Sequence, residues 1–432
     1  MTINTPMMSL ADARQTMLAS LAAGSDARAR ATETKPLAEL VGRILAEDIV
    51  SPLDSPPADN SAMDGYALRF ADISGSSTYP VVGKSLAGKP FNGTVSTGEC
   101  VRITTGATLP VGTDTVVIQE NVAVEAGNKD EVMRLVTPPS RQGASVRYRG
   151  EDVARGDIML SAGRRIGAVE VGVLATLGLA QALVRKLLRV ALFVSGDELR
   201  APGEALGPGD IYESNRHVLQ VMLRKLGIEV VDLGVVADAP QQLRQACMEG
   251  QRRADVVLTC GGASVGEADY AREVLQELGN LDFWKVAIKP GKPFIFGHLD
   301  QTPFFGLPGN PVSALVTFHQ LVAPVLRKLQ GADDPEPLML SAPITQPMRS
   351  NRNRLELVRG RFSRSKLTAS GLHASPGGGF VVTPDRQQSS GAFGALARCN
   401  CFILVEAGAG ELPAGTLLPV LPFDELLGAG AI

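Results

Sequence analysis

Acids, lysines and paired glycines recur in the middle of this chain wherever a β-type run stops. Ser195, Gly196, Asp197 and Glu198 follow the apolar run RVALFV, and Asp238 follows EVVDLGVV. Gly261, Gly262, Ser264, Glu267 and Asp269 follow DVVLTC. Lys289 and Lys292 follow FWKVAI, which itself carries Lys285, and Pro308, Gly309, Asn310, Pro311 and Ser313 follow PFFG. Paired glycines let backbone N–H groups come close to a ligand, and a helix starting near Glu267 would aim its positive end at the same point. That chemistry suits a phosphate. Carboxylates beside it suit a divalent cation with hard oxygen ligands, and lysines neutralise the remaining oxyanion charge. Taken alone, Ala254 to Tyr270 reads equally as an ordinary strand-to-helix turn with solvated acids. Five strand ends with the same chemistry point instead to one shared cleft.

Other chemistries find less support. No G-x-G-x-x-G follows the first strand, and no GxxxxGK[ST] occurs, so a dinucleotide fold and a Walker A loop are disfavoured. Ser195 is not in a G-x-S-x-G elbow, and His217, His298, His319 and His373 are scattered over unrelated elements. His319, on an otherwise apolar helix, reads as structural. A net charge of -3 and 5% aromatic residues argue against a nucleic-acid surface. Five cysteines, Cys100, Cys247, Cys260, Cys399 and Cys401, suit free thiols in a reducing compartment. Cys399 and Cys401 read as residues on one face of a packed strand. The first residues show no signal-peptide pattern, and Ala168 to Val184 is too polar and too short to span a bilayer, reading as a helix and then a strand. The expectation is a cytoplasmic protein with no membrane association.

The elements that must position these groups follow from periodicity. At 432 residues, two to four domains are expected. Ser9 to Ala23 reads as an amphipathic helix with a capping-box start, and residues 27–48 as a strand and a second helix. SPLDSPPADNSAMDGYAL is a loop that something other than its own core must hold. Tyr79 to about Val153 has the texture of short strands. From Arg189, strands alternate with helices at Asn215 to Gly227, Gln241 to Arg252, up to Leu278 and Val312 to Leu329, which predicts a doubly wound parallel sheet. After GADDPEP, Gly and Pro spacing suggests a small barrel or sandwich.

DNSAMDGYA (59–67), TTGA (104–107), RGED (149–152), SGDEL (195–199), GGASVGEADY (261–270), KPGKP (289–293) and LPGNPVS (307–313) occur in this order. Together they resemble the MoeA-type molybdopterin molybdenumtransferases, whose eukaryotic relatives include the gephyrin E domain. The resemblance implies a doubly wound α/β domain (187–331) with residues 1–26 as a helix packed on it. It also implies an N-terminal β-rich module (51–153), a small α+β linking domain (27–50 and 154–186) and a C-terminal β-barrel-like domain (332–432). The implied protein is a homodimer with a shared active site, acting on adenylylated molybdopterin and molybdate with Mg²⁺, releasing AMP and serving molybdenum cofactor enzymes.

Carried over by motif, Asp59, Thr105 and Asp152 belong to the trans-acting module, and Glu198, Asp238 and Asp269 to the acidic, metal-holding side. Lys285 and Lys289 form the basic side. Gly261, Gly262 and Ser264 hold phosphate, and Pro308 and Pro311 shape the wall. Arg354 and Ser390 match C-terminal residues near the molybdate, with Arg352 and Ser389 as neighbours of the same type. The rival readings are a molybdopterin adenylyltransferase and a gephyrin-like scaffold without catalysis.

Overall fold

The computed structural model describes residues 7–23, 31–126, 131–261, 270–333, 337–364, 379–424 and 426–428. Two compact units emerge: Glu47–Ala162 with Ala168–Gln181, and Met1–Ala46 with Gly163–Gly167 and Ala182–Ile432. Helix α1 (Leu10–Ala23) begins as its sequence predicts, with the Asp12 amide donating to Ser9 Oγ at 3.1 Å. After β1 (Thr32–Pro36) the expected second helix does not form. A single 3₁₀ turn, Leu37–Glu39, is followed by Gly42 at φ +82°. The reason is competition for amides: Gly42, Leu45 and Ala46 donate to the carbonyls of Ile166, Arg164 and Leu183 at 2.8–3.0 Å. Long-range pairing uses the groups a helix would need.

The Glu47–Ala162 unit contains a six-stranded sheet. Its strands are β2 (Gly65–Leu68), β3 (Thr78–Ser85), β4 (Cys100–Ile103), β5 (Thr115–Ile118), β6 (Val122–Ala126) and β7 (Glu131–Leu135), in the order β5-β2-β4-β3-β7-β6. Alternation sorts the faces: Tyr66 and Leu68 pack with Tyr79, Cys100, Val117 and Met133, while Ala67 packs with Ile103, Ala107 and Val116. Helix α2 (Ala168–Thr176) stops before Gly178, at φ +73°, and β8 (Gln181–Arg185) follows.

In the second unit, β9 (Arg189–Ser195), α3 (Asn215–Lys225), β10 (Glu229–Val236), α4 (Pro240–Arg253), β11 (Val256–Cys260) and α5 (Tyr270–Leu278) alternate as expected. There follow β12 (Asn280–Lys285), β13 (Ile288–Lys289), β14 (Pro293–Leu299) and β15 (Thr302–Leu307). The chain then continues as α6 (Pro311–Thr317), a π-turn at Phe318–Val322 and α7 (Ala323–Leu329). The sheet order is β10-β9-β11-β15-β14-β12. The first four strands are mutually parallel, but β14 is antiparallel to both of its neighbours. The sheet is therefore mixed rather than wholly parallel, because PFIFGHL forms a hairpin strand that the helix-alternation pattern conceals. Since β12 is antiparallel to β14, it runs with β15, and Lys285 arrives at the same carboxyl edge as the other strand ends.

β9 and β11 are buried along almost their whole length, as central strands covered on both faces must be. Helix α4 buries Leu243, Ala246, Cys247 and Gly250, one face at helical spacing. The π-turn buries His319 and Gln320, and Pro324, four residues on, has no amide to donate to the Gln320 carbonyl. Arg14 of α1 donates to that carbonyl at 2.6 Å and to Gln320 Oε1 at 2.8 Å. With Ala13 and Met17 in the core of the sheet, these bonds dock α1 on the α/β layer. His319 is structural, as expected: its Nδ1 meets Gln320 Nε2 at 2.7 Å and its Nε2 lies 3.1 Å from Asp424 Oδ2.

The C-terminal strands are β16 (Leu340–Pro343), β17 (Leu355–Arg364), β18 (Phe380–Pro384), β19 (Cys401–Val405) and β20 (Leu417–Pro422). The ladder β17-β19-β20-β16 is extended by β18 on β17, and the Ile344–Val382 bridge brings β16 to β18, closing a small barrel. In addition, β13 pairs in parallel with the start of β17, so the barrel is hydrogen-bonded to the α/β layer. Leu357, Phe402 and Phe423 share a core with Phe294 and Phe318. Cys399 lies outside the strand, correcting the expected pairing with Cys401: its thiol donates to the Ala395 carbonyl at 3.2 Å, closing the preceding 3₁₀ turn. Among the described residues, no helix is long and apolar enough to cross a membrane.

Candidate functional site

Three strand ends meet at Gly261. Its φ is +99°, and a Cβ there would drive into the Ser195 carbonyl oxygen, so only glycine fits. Its amide donates to the Leu307 carbonyl at 3.2 Å, joining β11 to the end of β15. Asn215, at the start of α3, donates its amide to the Gly309 carbonyl at 2.7 Å and to Cys260 Sγ at 3.2 Å. Cys260 in turn donates to the Pro308 carbonyl at 3.2 Å. Burial pushes the Cys260 thiol up to about 12, so it remains a donor. Pro308 and Gly309 are thus seated beside the glycine turn by two side chains that the motif reading left unused. Asn215 follows a Ser at a helix start, which is the signal that could have singled it out. Gly262, Ser264 and Asp269 lie outside the described residues.

The acids that follow β9 and β10 come together. The Asp238 amide donates to Asp197 Oδ1 at 3.1 Å. The Asp238 carboxyl is pushed up by burial first and then by the neighbouring Asp197 and Glu198. Its Oδ1 is buried with no hydrogen-bond partner. Hard oxygen donors crowded with like charge, one of them unsatisfied, are what a divalent cation relieves, and Asp197 joins the expected Glu198 and Asp238 there. Among the described residues, no group of three or more ligating side chains is preassembled around a single point.

On the basic side, Lys285 ends β12, and burial, then Lys292 and Arg272, hold its ammonium below the usual range. Lys289 is committed: its Nζ donates to Glu356 Oε1 at 2.5 Å, and the Glu356 side chain is only 7% exposed. Arg354 stands half-buried just ahead of β17. The guanidinium that reaches the Ser390 loop belongs to Arg359, a residue that sequence reasoning passed over. Arg359 is 1% exposed. It donates to the carbonyls of Gln387, Ser389 and Ala392 at 2.7, 3.1 and 3.2 Å. The loop it organises is seated on α6, where the Val312 amide donates to the Ser390 carbonyl at 3.1 Å, beside Pro311 at the first helical position. Hence Lys289, Arg359, Ser390 and Pro311 are tied to one another across the barrel and the α/β layer.

Comparison with known proteins assigns this arrangement to a family. Family models for the MoeA N-terminal region (domains I and II), a probable molybdopterin binding domain and the MoeA C-terminal region (domain IV) match residues 8–178, 191–328 and 341–423. Over 423 residues the chain is 41% identical to the molybdopterin molybdenumtransferase of Haemophilus influenzae, covering 98% of this chain and 100% of that protein. The chain belongs to the MoeA family of molybdopterin molybdenumtransferases. Molybdopterin molybdenumtransferase 1 of Mycobacterium tuberculosis is 34% identical over 407 residues, 89% of this chain and 93% of that one. A crystal structure of the molybdopterin biosynthesis MoeA protein from Pyrococcus horikoshii matches 96% of this chain and 100% of its own, with a TM-score of 0.80 and 26% identity.

The remaining MoeA motifs lie in the Glu47–Ala162 unit, where they are stapled to one another. Asp59 Oδ1 accepts the Arg149 amide at 2.8 Å, and the Asp152 amide donates to the Ser55 carbonyl at 3.0 Å. Arg149 also reaches Asp54 at 2.6 Å. Thr105 donates both its amide, at 2.7 Å, and its hydroxyl, at 2.8 Å, to Asp64 Oδ1. These bonds, the backbone one foremost, hold the Asp64 carboxyl below the usual range. The Gly106 amide donates to the Ser61 carbonyl at 2.8 Å. DNSAMDGYA, TTGA and RGED therefore form one patch, on which Asp59 and Asp152 are both exposed.

Two predictions follow from these contacts. The folded-state carboxyl of Asp238 titrates above its unfolded value, so its negative charge opposes folding. That penalty is absent where both states are protonated and grows as pH rises through the carboxylate range. Asp238→Asn should therefore raise the urea midpoint near neutral pH in the absence of divalent cations, and the gain should vanish below about pH 3. Replacing Arg359 by Met should leave three part-buried carbonyls without their donor, costing about 1–3 kcal/mol. Hydrogen exchange at the Val312 amide should then accelerate, and Arg359→Lys, lacking the planar fork, should not restore it.

Proposed function

We propose that this chain inserts molybdate into adenylylated molybdopterin in a Mg²⁺-dependent reaction that releases AMP. The observation that carries the reading is the shared carboxyl edge. There the Asp197, Glu198 and Asp238 corner, the Gly261 turn, Lys285 and the Arg359-held Ser390 loop belong to a single compact unit of a MoeA-family chain. The curated relatives bear the name molybdopterin molybdenumtransferase.

The donor set fits the cation: Glu198 and Asp238, with Asp269, are hard oxygen ligands, and Asp238 Oδ1 is buried and unsatisfied. When bound, Mg²⁺ would supply charge neutralisation for a phosphoanhydride. The chain's own groups do the rest. Gly261 supplies the turn, its own amide being taken by the Leu307 carbonyl, and Gly262 and Ser264 offer an amide and a hydroxyl to phosphate oxygens. Asp238 or Asp269 orients the attacking oxygen of water or molybdate. Lys285 stabilises the negative charge that develops as the bridging P–O bond breaks and AMP departs, while Lys289 stays paired with Glu356. Arg359 fixes the loop through which Ser390 meets the incoming molybdate, beside Pro311 of the wall that Pro308 and Pro311 form. The pterin's dithiol then ligates molybdenum, its two thiol protons leaving with one molybdate oxygen as water, for delivery to molybdenum cofactor enzymes. In the same reading the protein is a cytoplasmic homodimer, and the Asp59, Thr105 and Asp152 patch of one chain completes the cleft of the other.

Full-length protein supplied with adenylylated molybdopterin should release AMP, followed by chromatography, only when molybdate and Mg²⁺ are both present. Asp269→Asn should abolish release while the melting curve stays native. Accumulation of the adenylylated pterin from molybdopterin and ATP would instead assign an adenylyltransferase and overturn the proposal. If the cleft is shared, mixing inactive Asp59→Asn and Asp269→Asn chains under exchange conditions should restore about a quarter of the native rate, the share expected from random pairing of two-fold dimers. No restoration, with exchange verified, would rule out sharing.

A further inference from the structure

Trp284 is the only tryptophan in the chain. Two cations sit over its indole: Arg272 Cζ lies 4.4 Å and Lys285 Nζ 3.5 Å from the ring centroid. Lys292 is close enough to bear on Lys285 as well. Elsewhere in this unit cations are matched by acids: Arg244 pairs with Glu277 and Lys289 with Glu356. Among the described residues, none of Arg272, Lys285 and Lys292 has a carboxylate partner. Within the same residues, Arg272 Nε is buried with no hydrogen-bond partner.

The quadrupole of one ring attracts each cation by only about 0.5–2 kcal/mol and does not neutralise it. Among the described residues, these three like charges therefore lack a counter-ion. Topology says where that counter-ion would enter. Lys285 closes β12 at the carboxyl edge of the sheet, and Arg272 lies in the first turn of α5, the helix that leaves the same edge after β11.

We infer that Arg272 and Lys285, gathered on Trp284, form with the neighbouring Lys292 a binding site for the oxyanions of a phosphoanhydride, with Arg272 a phosphate-binding residue that no motif marks. Trp284 holds two of these cations in place before the ligand arrives, which reduces the ordering cost of binding. Guanidinium suits this position because its fork engages two phosphate oxygens at once. The inference rests on the proposed function only in taking Lys285 as part of the substrate cleft. Binding itself can be read without any turnover.

The probe is inorganic pyrophosphate, titrated into the full-length protein while the emission of the single tryptophan is recorded. A saturable change in Trp284 emission is expected. Arg272→Gln should weaken it about tenfold, the loss of one charge-assisted contact, whereas Arg272→Lys, which keeps the charge but not the fork, should recover only part of that affinity. Calorimetry with Trp284→Phe gives the same comparison without the fluorophore, and circular dichroism checks that each variant is folded. No saturable response to pyrophosphate, an unchanged affinity in folded Arg272→Gln, or a response to molybdate alone would each overturn the assignment. Loss of molybdate-dependent AMP release with pyrophosphate binding intact would instead count against the proposed function and leave this site standing.

Discussion

The closure at Gly261 is the constraint on which the rest of the site depends. β11 can deliver its end between Ser195 and Leu307 only because the next residue has a positive φ and no Cβ. That approach lets three strand ends abut, and it places Cys260 where its thiol reaches the Pro308 carbonyl. Asn215 then ties α3 to Gly309. The wall of the cleft is thus an extension of the sheet's own hydrogen bonding rather than a loop that must be ordered separately.

Charge is distributed by the same architecture. Strands β9 and β10 deliver Asp197, Glu198 and Asp238 to one end of the sheet edge, while β12 delivers Lys285 to the other. Neither group neutralises the other, and each is crowded with its own sign. Such crowding costs stability in the free protein and is relieved by ligands of opposite charge, which is how functional sites commonly spend stability. Where neutralisation is needed for structure, the chain provides it: Lys289 meets Glu356, and Asp424, despite its burial, is held in the charged form by His319 and Arg327.

Arg359 illustrates a different economy. Its guanidinium is satisfied by backbone carbonyls rather than by an acid, so it fixes the course of residues 387–392 instead of a single partner. The loop's outward end is in turn bound to the first turn of α6. Barrel and α/β layer are consequently coupled through a polar network as well as through their common core and the β13–β17 pairing.

Much of this was legible in the chain itself. Near-continuous apolar runs such as RVALFV and DVVLTC mark central strands because both of their faces are covered. Glycines and acids directly after them mark a ligand-facing edge, and the ordered motifs carry the family. Other features depended on long-range partners. LAELVGRILAEDI has helical spacing, yet its amides pair with residues 164–183. PFIFGHL became an antiparallel strand because its neighbours in the sheet, not its own pattern, set its direction. Arg359 looked like one basic residue among several, and only the closed barrel buried it beneath the Ser390 loop. Residue types and their local spacing therefore determined which strands end in chemistry. The tertiary structure decided which of those ends meet and which charges are neutralised, because both depend on pairings between residues far apart in the chain.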